Sequence, residues 1–293
     1  MDRLTLRLVF IHSLMGLVYF TGASKTALIV FAFAFLWRSI FLSISYHRYF
    51  SHRSYKTSRA FQFFLALAGS ICMQRGALWW AANHRKHHQY SDTELDPHSP
   101  VAHGFWYAHI GWVMRKDSFI TDYSRVKDFD PFPELKWLNE KSDLLHALFA
   151  LLLIISGEVL RFFRPELSTS GLQLLLWGYL ISGLLHLHTI FLVNSLTHLR
   201  GRRDYEVPQR EGRDNSHNIG WLAYLTAGEG WHHNHHSFPQ SARVGLRWWE
   251  FDLGWMVLKM LRLLGLVWEL KTPNAASLEV LIRKPRREGA TSS

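Results

Sequence analysis

The sequence predicts an all-α membrane protein, with four transmembrane helices in two hairpins capped on one side by a helical domain. Three observations lead there. Apolar residues are bunched into long, nearly uncharged runs, although the mean hydropathy is only -0.04. Lys and Arg, which give a net charge of +10, lie mostly outside those runs. Histidine, 18 of 293 residues, is concentrated in the same polar blocks at short, repeated spacings.

A bilayer core asks for about 20 apolar residues per helix. The first run, residues 5–22, is the weakest because it carries Arg7 and His12. The second, 27–45, is interrupted only by Arg38, and the third and fourth, 144–162 and 171–193, are long and almost uncharged. Short turns at Thr21–Thr26 and Arg161–Ser170 close two hairpins, which leaves 46–143 and 194–272 together on one side as a single polar part. The whole chain, 1–293, is expected to form one membrane domain. That side holds most of the Lys and Arg, so the positive-inside rule makes it cytoplasmic, with Lys25, Arg161 and Arg164 counting mildly against. A single cysteine, Cys72, excludes an intramolecular disulfide and suits a reducing compartment. No small-residue cleavage site follows the first run, which argues against a removed signal peptide.

Phe61–Trp80 is apolar too, but a true span there would separate histidines that must share a compartment. It is expected to lie in the interface or re-enter, with Trp79 and Trp80 near the headgroups. Leu246–Trp268 mixes apolar residues with Arg247, Lys259 and Arg262, as an amphipathic helix lying on the membrane does. The tail, 273–293, is expected to be loosely ordered, and its cluster Arg283, Lys284, Arg286 and Arg287 to be solvated.

The histidines are ordered as well as abundant. His47 and His52 stand in HRYFSH; His84, His87 and His88 in HRKHH; Asn194 and His198 in NSLTH; His232, His235 and His236 in HHNHH. Neutral imidazole is the commonest ligand for borderline transition metals, and one ion takes about four to six donors. Nine histidines therefore suit two ions, which makes the cap a helical dimetal domain. On a helix, H-x-x-H-H places its rings within an arc of about 100°, wide enough for neighbours to serve different metals. The i, i+4 pair Asn194 and His198 shares a face. His47 and His52, five apart, diverge by about 140°, so either each takes a different metal or the helix ends between them.

With these boxes and their order in hand, the chain resembles the membrane fatty acyl desaturases, the stearoyl-type acyl-CoA desaturases and their bacterial relatives. The resemblance runs from about Ala27 to Pro273. It rests on HRYFSH continuing into HRSYKTSR, Trp80 before HRKHH, DTELDPHSP with HIGWVMRKD, NSLTH, DNSHN, and above all GEGWHHNHHSFPQSARVGLRWWEFD. It implies two iron ions, a di-iron centre held by the nine histidines, with Asn194 acting weakly or through water. It also implies a cis double bond placed in a saturated acyl chain, by family habit at the ninth carbon, at the expense of dioxygen and two electrons. The bacterial relatives point to an inner membrane.

Two positions depart from the family pattern. His233 stands where the last box usually has asparagine, and is expected to lie behind the ligands or face solvent. His217 stands where the DNSRN stretch often has arginine. His98, His103 and His109 are expected to be hydrogen-bonded structural histidines, near the metals in sequence only. Asp92, Glu94, Asp96, Asp214 and Glu229 are the candidate acceptors for the imidazole N–H groups. Ser39 and Phe35, on the His47 face of the second membrane helix, are expected to close the far end of an acyl tunnel.

No Gly-rich dinucleotide fingerprint follows a strand, so electrons must come from a separate ferredoxin or b-type cytochrome with its reductase. The positive charge favours an acidic donor and membrane lipids. The fatty acyl substrate is acyl-CoA or acyl-lipid, and no nucleic-acid partner is expected. Two alternatives stand beside this reading. A related hydroxylase or alkane monooxygenase usually spaces its first histidine pair by three residues, where four separate His47 from His52. A metal-binding or transport protein would line its membrane helices with ligands, and only His186 and His188 lie deep in a long run.

Overall fold

The computed structural model describes residues 3–207 and 214–281. An N-terminal helix α1 (Arg3–Ser13) passes through a 3₁₀ turn into α2 (Val18–Thr21), and α3 (Lys25–Phe41) continues as a π-helix over Leu42–Ser51. Strand β1 (Lys56–Thr57), α4 (Arg59–Ser70), α5 (Ala77–Tyr90), α6 (Pro100–His103), α7 (Phe105–His109) and α8 (Pro133–Glu140) follow. Next come α9 (Ser142–Phe163), α10 (Gly171–Leu174), a π turn at Leu175–Ile181, and α11 (Ser182–Ser195). The cap is completed by α12 (Gly220–Leu225), α13 (His232–Ser237), α14 (Leu253–Leu263), β2 (Val267–Trp268) and α15 (Ala275–Leu281). The protein is mostly helical; β1 and β2 form one antiparallel two-residue ribbon.

Among the described residues, three helices are long and apolar enough to cross a membrane: Lys25–Ser51, Ser142–Phe163 and Gly171–His198. The N-terminal apolar helix, Leu8–Thr21, falls short of the span expected at 5–22 and is broken by the 3₁₀ turn. It docks through a histidine contact instead, His12 Nε2 standing 2.9 Å from His188 Nε2. The turn after α9 is tight because Gly157 meets Gly171; a Cβ on Gly157 would lie 2.5 Å from Gly171 Cα.

Arg38, the one charge in the second apolar run, is fully buried. Its guanidinium donates to the Ile71, Gly178 and Tyr179 carbonyls and to Ser182 Oγ, at 2.5 to 3.4 Å. The π turn at Leu175–Ile181 provides two of those carbonyls, since a π turn disturbs the regular i→i−4 ladder. A charge at this depth thus ties α3 to α11 and to the loop after α4.

Three expectations for the cap are corrected. Helix α4 ends at Ser70 and the chain reverses through Met73 and Arg75, both at positive φ, so Phe61–Trp80 does not span. Its tryptophans, however, face the protein and not headgroups: Trp79 is buried, its ring parallel to Trp112 and its indole N–H donating to the Ser118 carbonyl. Leu246–Trp268 is helical only over α14, because Asp252 caps that helix through the Trp255 amide and Val267–Trp268 pairs with β1. The tail is ordered into α15 as far as Leu281; the basic cluster Arg283, Lys284, Arg286 and Arg287 lies outside the described residues.

Candidate metal centre

Four segments bring the boxes together: the π-helical end of α3, helix α5, the 3₁₀ turn Leu196–His198 after α11, and α13. They build two clusters. His47, His52, His84, His88 and His235 form one, and His87, His198, His232 and His236 the other. Neighbours in a box are divided as helical phase predicts, His84 and His88 from His87, and His235 from His232 and His236.

The first box departs from its expectation. His47 and His52 face each other, their rings 5.0 Å apart, in one cluster. The reason is the π-helix over Leu42–Ser51. A π turn closes with i→i+5 hydrogen bonds, so residues five apart return to the same face.

Within each cluster the Nε2 atoms converge. His47 and His235 are 3.0 Å apart, His52 and His84 2.8 Å, and His84 and His88 3.0 Å. In the other cluster, His198 and His232 are 2.9 Å apart and His87 and His236 3.2 Å. Neutral imidazoles converging in this way offer their lone pairs to a common cation. At a metal–imidazole bond of about 2.1 Å, adjacent ligands of an octahedron are about 3.0 Å apart. The spacing fits such ions. Burial, followed by the neighbouring histidines, pushes His52, His84, His88 and His235 well below the usual imidazole range, so the neutral, ligating form prevails.

Carboxylates stand at the other ring nitrogen of four of these histidines. His87 Nδ1 donates to Asp96 at 2.9 Å, His198 Nδ1 to Asp92 at 2.9 Å, His236 Nδ1 to Asp214, and Glu229 abuts His47 Nδ1. Each leaves Nε2 aimed inward. Burial alone would raise Asp96 and Asp214, yet the adjacent His87 and His236 hold them below the usual carboxylate range. Glu229 is held from behind by Ser43 Oγ and Arg48, and Arg48 also bridges to Asp252 at 2.8 Å. Glu94 is the exception: exposed, its carboxylate stands 3.6 Å from His103 Nδ1 and behind no ligand.

The remaining candidates separate clearly. Asn194 lines the cavity beside His87 and His232. His98, expected to be remote, has its ring 4.4 Å from His87, and its Nδ1, 3.8 Å from Asp96, makes no hydrogen bond among the described residues. The DPH turn brings it back, because the Asp96 that grips His87 also accepts the His98 amide. His103 and His109 are structural, His109 bonding Ser195 and His188. His233 is fully buried, not exposed, with Nδ1 3.1 Å from Ser216 Oγ and Nε2 2.9 Å from the Tyr205 carbonyl. His217 holds the Thr197 carbonyl. Sequence reasoning missed Arg48, although its place beside His47 in a membrane helix was a signal.

A cavity of about 20 Å³ touches both clusters, at His47 and His84 on one side and His87 and His232 on the other. Leu42, Trp80, Ile190 and Val193 form its apolar wall. Trp80 is stacked on His84 at 4.8 Å, which fixes that ring.

The fatty acid desaturase family model matches residues 24–265. The chain belongs to the fatty acid desaturase family. It is 37% identical over 231 residues to an sn-1 stearoyl-lipid 9-desaturase of Anabaena variabilis, covering 78% of each chain. It is 34% identical to Delta-9 acyl-lipid desaturase 1 of Arabidopsis thaliana, over 91% of this chain and 82% of that one. It is 36% identical to an acyl-CoA C20 Delta5-desaturase of Anemone leveillei, over 79% of this chain and 69% of that one. This desaturase is thus an oxidoreductase with three helices fit to cross a membrane and two histidine clusters fit to hold metal.

Proposed function

We propose that this fatty acyl desaturase inserts a cis double bond at the ninth carbon of a saturated acyl chain at a di-iron centre. The cavity that touches both clusters through an apolar wall carries the reading, since a methylene pair must meet both metals out of water. His47, His52, His84, His88 and His235 would hold one ion; His87, His198, His232 and His236, with Asn194 beside them, would hold the other. Iron with dioxygen supplies an oxidant strong enough for an unactivated methylene. Balance requires two electrons and two protons per dioxygen, giving the alkene and two waters.

The chain's own residues do the rest. Leu42, Ile190 and Val193 exclude water from the reacting carbons, and Trp80 keeps His84 in place. Asp92, Asp96, Asp214 and Glu229 hold the imidazole tautomers. The ninth-carbon assignment follows the names of two of the relatives above, as does an acyl-lipid substrate; the third relative, an acyl-CoA desaturase, makes that carrier the competing one. The clusters lie in the cytoplasm, on the side rich in Lys and Arg. A separate ferredoxin or b-type cytochrome with its reductase delivers the electrons.

The test is to feed labelled stearoyl-lipid and stearoyl-CoA to the purified protein with such a donor. A ninth-carbon alkene, read by mass spectrometry and absent with NADH alone, is the expected result. A hydroxylated product, or turnover with NADH alone, would overturn the reading.

A further inference from the structure

We propose that a basin between the Arg243–Asp252 loop and α14 binds the phosphate of an anionic membrane phospholipid. The inference rests on the membrane-embedded reading of the three apolar helices. The basin, about 280 Å³, is lined by Arg243, Arg247, Trp248, Trp255, Met256 and Lys259, with Glu250 and Asp252 in its wall.

Its height on the molecule comes first. Ser39 Oγ donates to the Leu225 carbonyl at 3.0 Å, which sets the end of α12 about two turns before His47. Gly254 of α14 stands beside Ser43, one turn before His47; a Cβ there would lie 2.6 Å from Ser43 Oγ. A bilayer core uses about 20 residues of the span that starts at Lys25, and so ends near Ile44. Both contacts therefore lie at the edge of the hydrocarbon. On α12, on α14 and in the loop before α14 the protein exposes large apolar side chains: Trp221 54%, Tyr224 60%, Trp248 88%, Met256 50%, Met260 54% and Leu263 88%. Aromatic and sulfur-containing side chains exposed on elements anchored at that edge are the signature of an interfacial surface.

The charge in the basin comes second. Its two carboxylates are already spent inward. Asp252 is paired with Arg48, and Glu250 with Arg202 and the amides of Leu246 and Arg247. Arg243 is fixed by backbone carbonyls, Nε donating to Gly245 and Nη2 to Leu246. That leaves its Nη1 side available and the cation without a carboxylate partner among the described residues. Lys259 likewise has none, while Arg247 shares Asp204 and lies over the Trp249 ring. A preoriented guanidinium and an ammonium lining one basin suit phosphate, as a planar donor group and a point charge together. The occupant is a lipid and not a soluble phosphate compound, because Trp248 and Met256 belong both to the basin and to this exposed apolar set.

The test uses full-length protein in nanodiscs of phosphatidylcholine with a minority of phosphatidylglycerol, and counts the lipids retained after release by native mass spectrometry. Wild type should keep one phosphatidylglycerol in preference to phosphatidylcholine. Lys259→Gln should weaken that preference about fivefold and Lys259→Arg should preserve it. Iron content and product formation, measured on the same samples, should not change, and their absence in wild type would sink the desaturase reading without touching this one. Equal phosphatidylglycerol retention by wild type and Lys259→Gln overturns the proposal. So does displacement of the lipid by millimolar inorganic phosphate, which would make the basin a site for soluble anions.

Discussion

His47 and His52 turn their rings toward each other across 5.0 Å because the helix carrying them widens to a π-helix just there. On an α-helix the pair would point apart. The π-helix thus converts a five-residue spacing into a shared face, and it also carries Arg48 inward to the carboxylates of Glu229 and Asp252. One local change in helix geometry sets both ligands and the support behind them.

Asp96 is the most direct test of that support. It accepts the His87 N–H and the amides of Asp92 and His98. Asp96→Asn should free the His87 tautomer and weaken the metal of the four-histidine cluster about 10- to 100-fold, measured by chelator competition. Unchanged affinity would show that Asp96 serves the loop alone.

His233 gives a contrasting outcome. It touches Ser216 and Tyr205, and Ser216 follows two residues after the Asp214 that grips His236. His233→Ala should cost about 1–3 kcal/mol in stability, seen as a lower melting temperature, while two irons per chain are retained at low temperature. Loss of one iron under folding conditions would make it a ligand.

Acid should release the metal. His84, His88 and His235 are held well below the ordinary imidazole range when folded, first by burial and then by their neighbours. Below about pH 6.5 the unfolded chain binds protons that the folded one refuses, so metal-free stability falls as pH drops below that value. It levels off only below the lowered folded values. Metal binding competes with the same protons, so iron retention should decline over the same window. Retention that stays flat from pH 7 to 5 would contradict neutral imidazole ligation.

Chain length is expected to respond to Phe35. Its ring meets His186 edge-on at 6.1 Å, deeper along α3 and α11 than the Leu42 and Ile190 wall of the cavity. Phe35→Ala should admit longer acyl chains at full iron loading, read from the product profile. Ser39 is the poorer probe, since its hydroxyl is held by the Leu225 carbonyl and added bulk would displace α12. An unaltered profile in Phe35→Ala would place the end of the acyl site elsewhere.

Much of the site was legible because helical phase is local. The spacing of His84, His87 and His88 puts them in one arc wide enough to serve two clusters, and four of five candidate carboxylates do stand behind imidazoles. What escaped depends on contacts distant in sequence or on departures from the α-helix. The π-helix at Leu42–Ser51 has no periodic signature, and His98 reaches His87 only through the turn that Asp96 closes. Trp79 reads as an interfacial residue until Trp112 and the Ser118 carbonyl cover it. The first apolar helix fell short for a visible reason, since Arg7 and His12 dilute a run that ends at Thr21.

The central claim is that two clusters hold two irons. Iron per chain should be measured on the purified protein, on His84→Ala and on His232→Ala, with Mössbauer spectra of each. The account predicts two irons in wild type and about one in each variant, in sites with different spectra, with desaturation lost in both. A fully active protein with a single iron, or variants that each lose both ions together, would contradict two independently ligated sites.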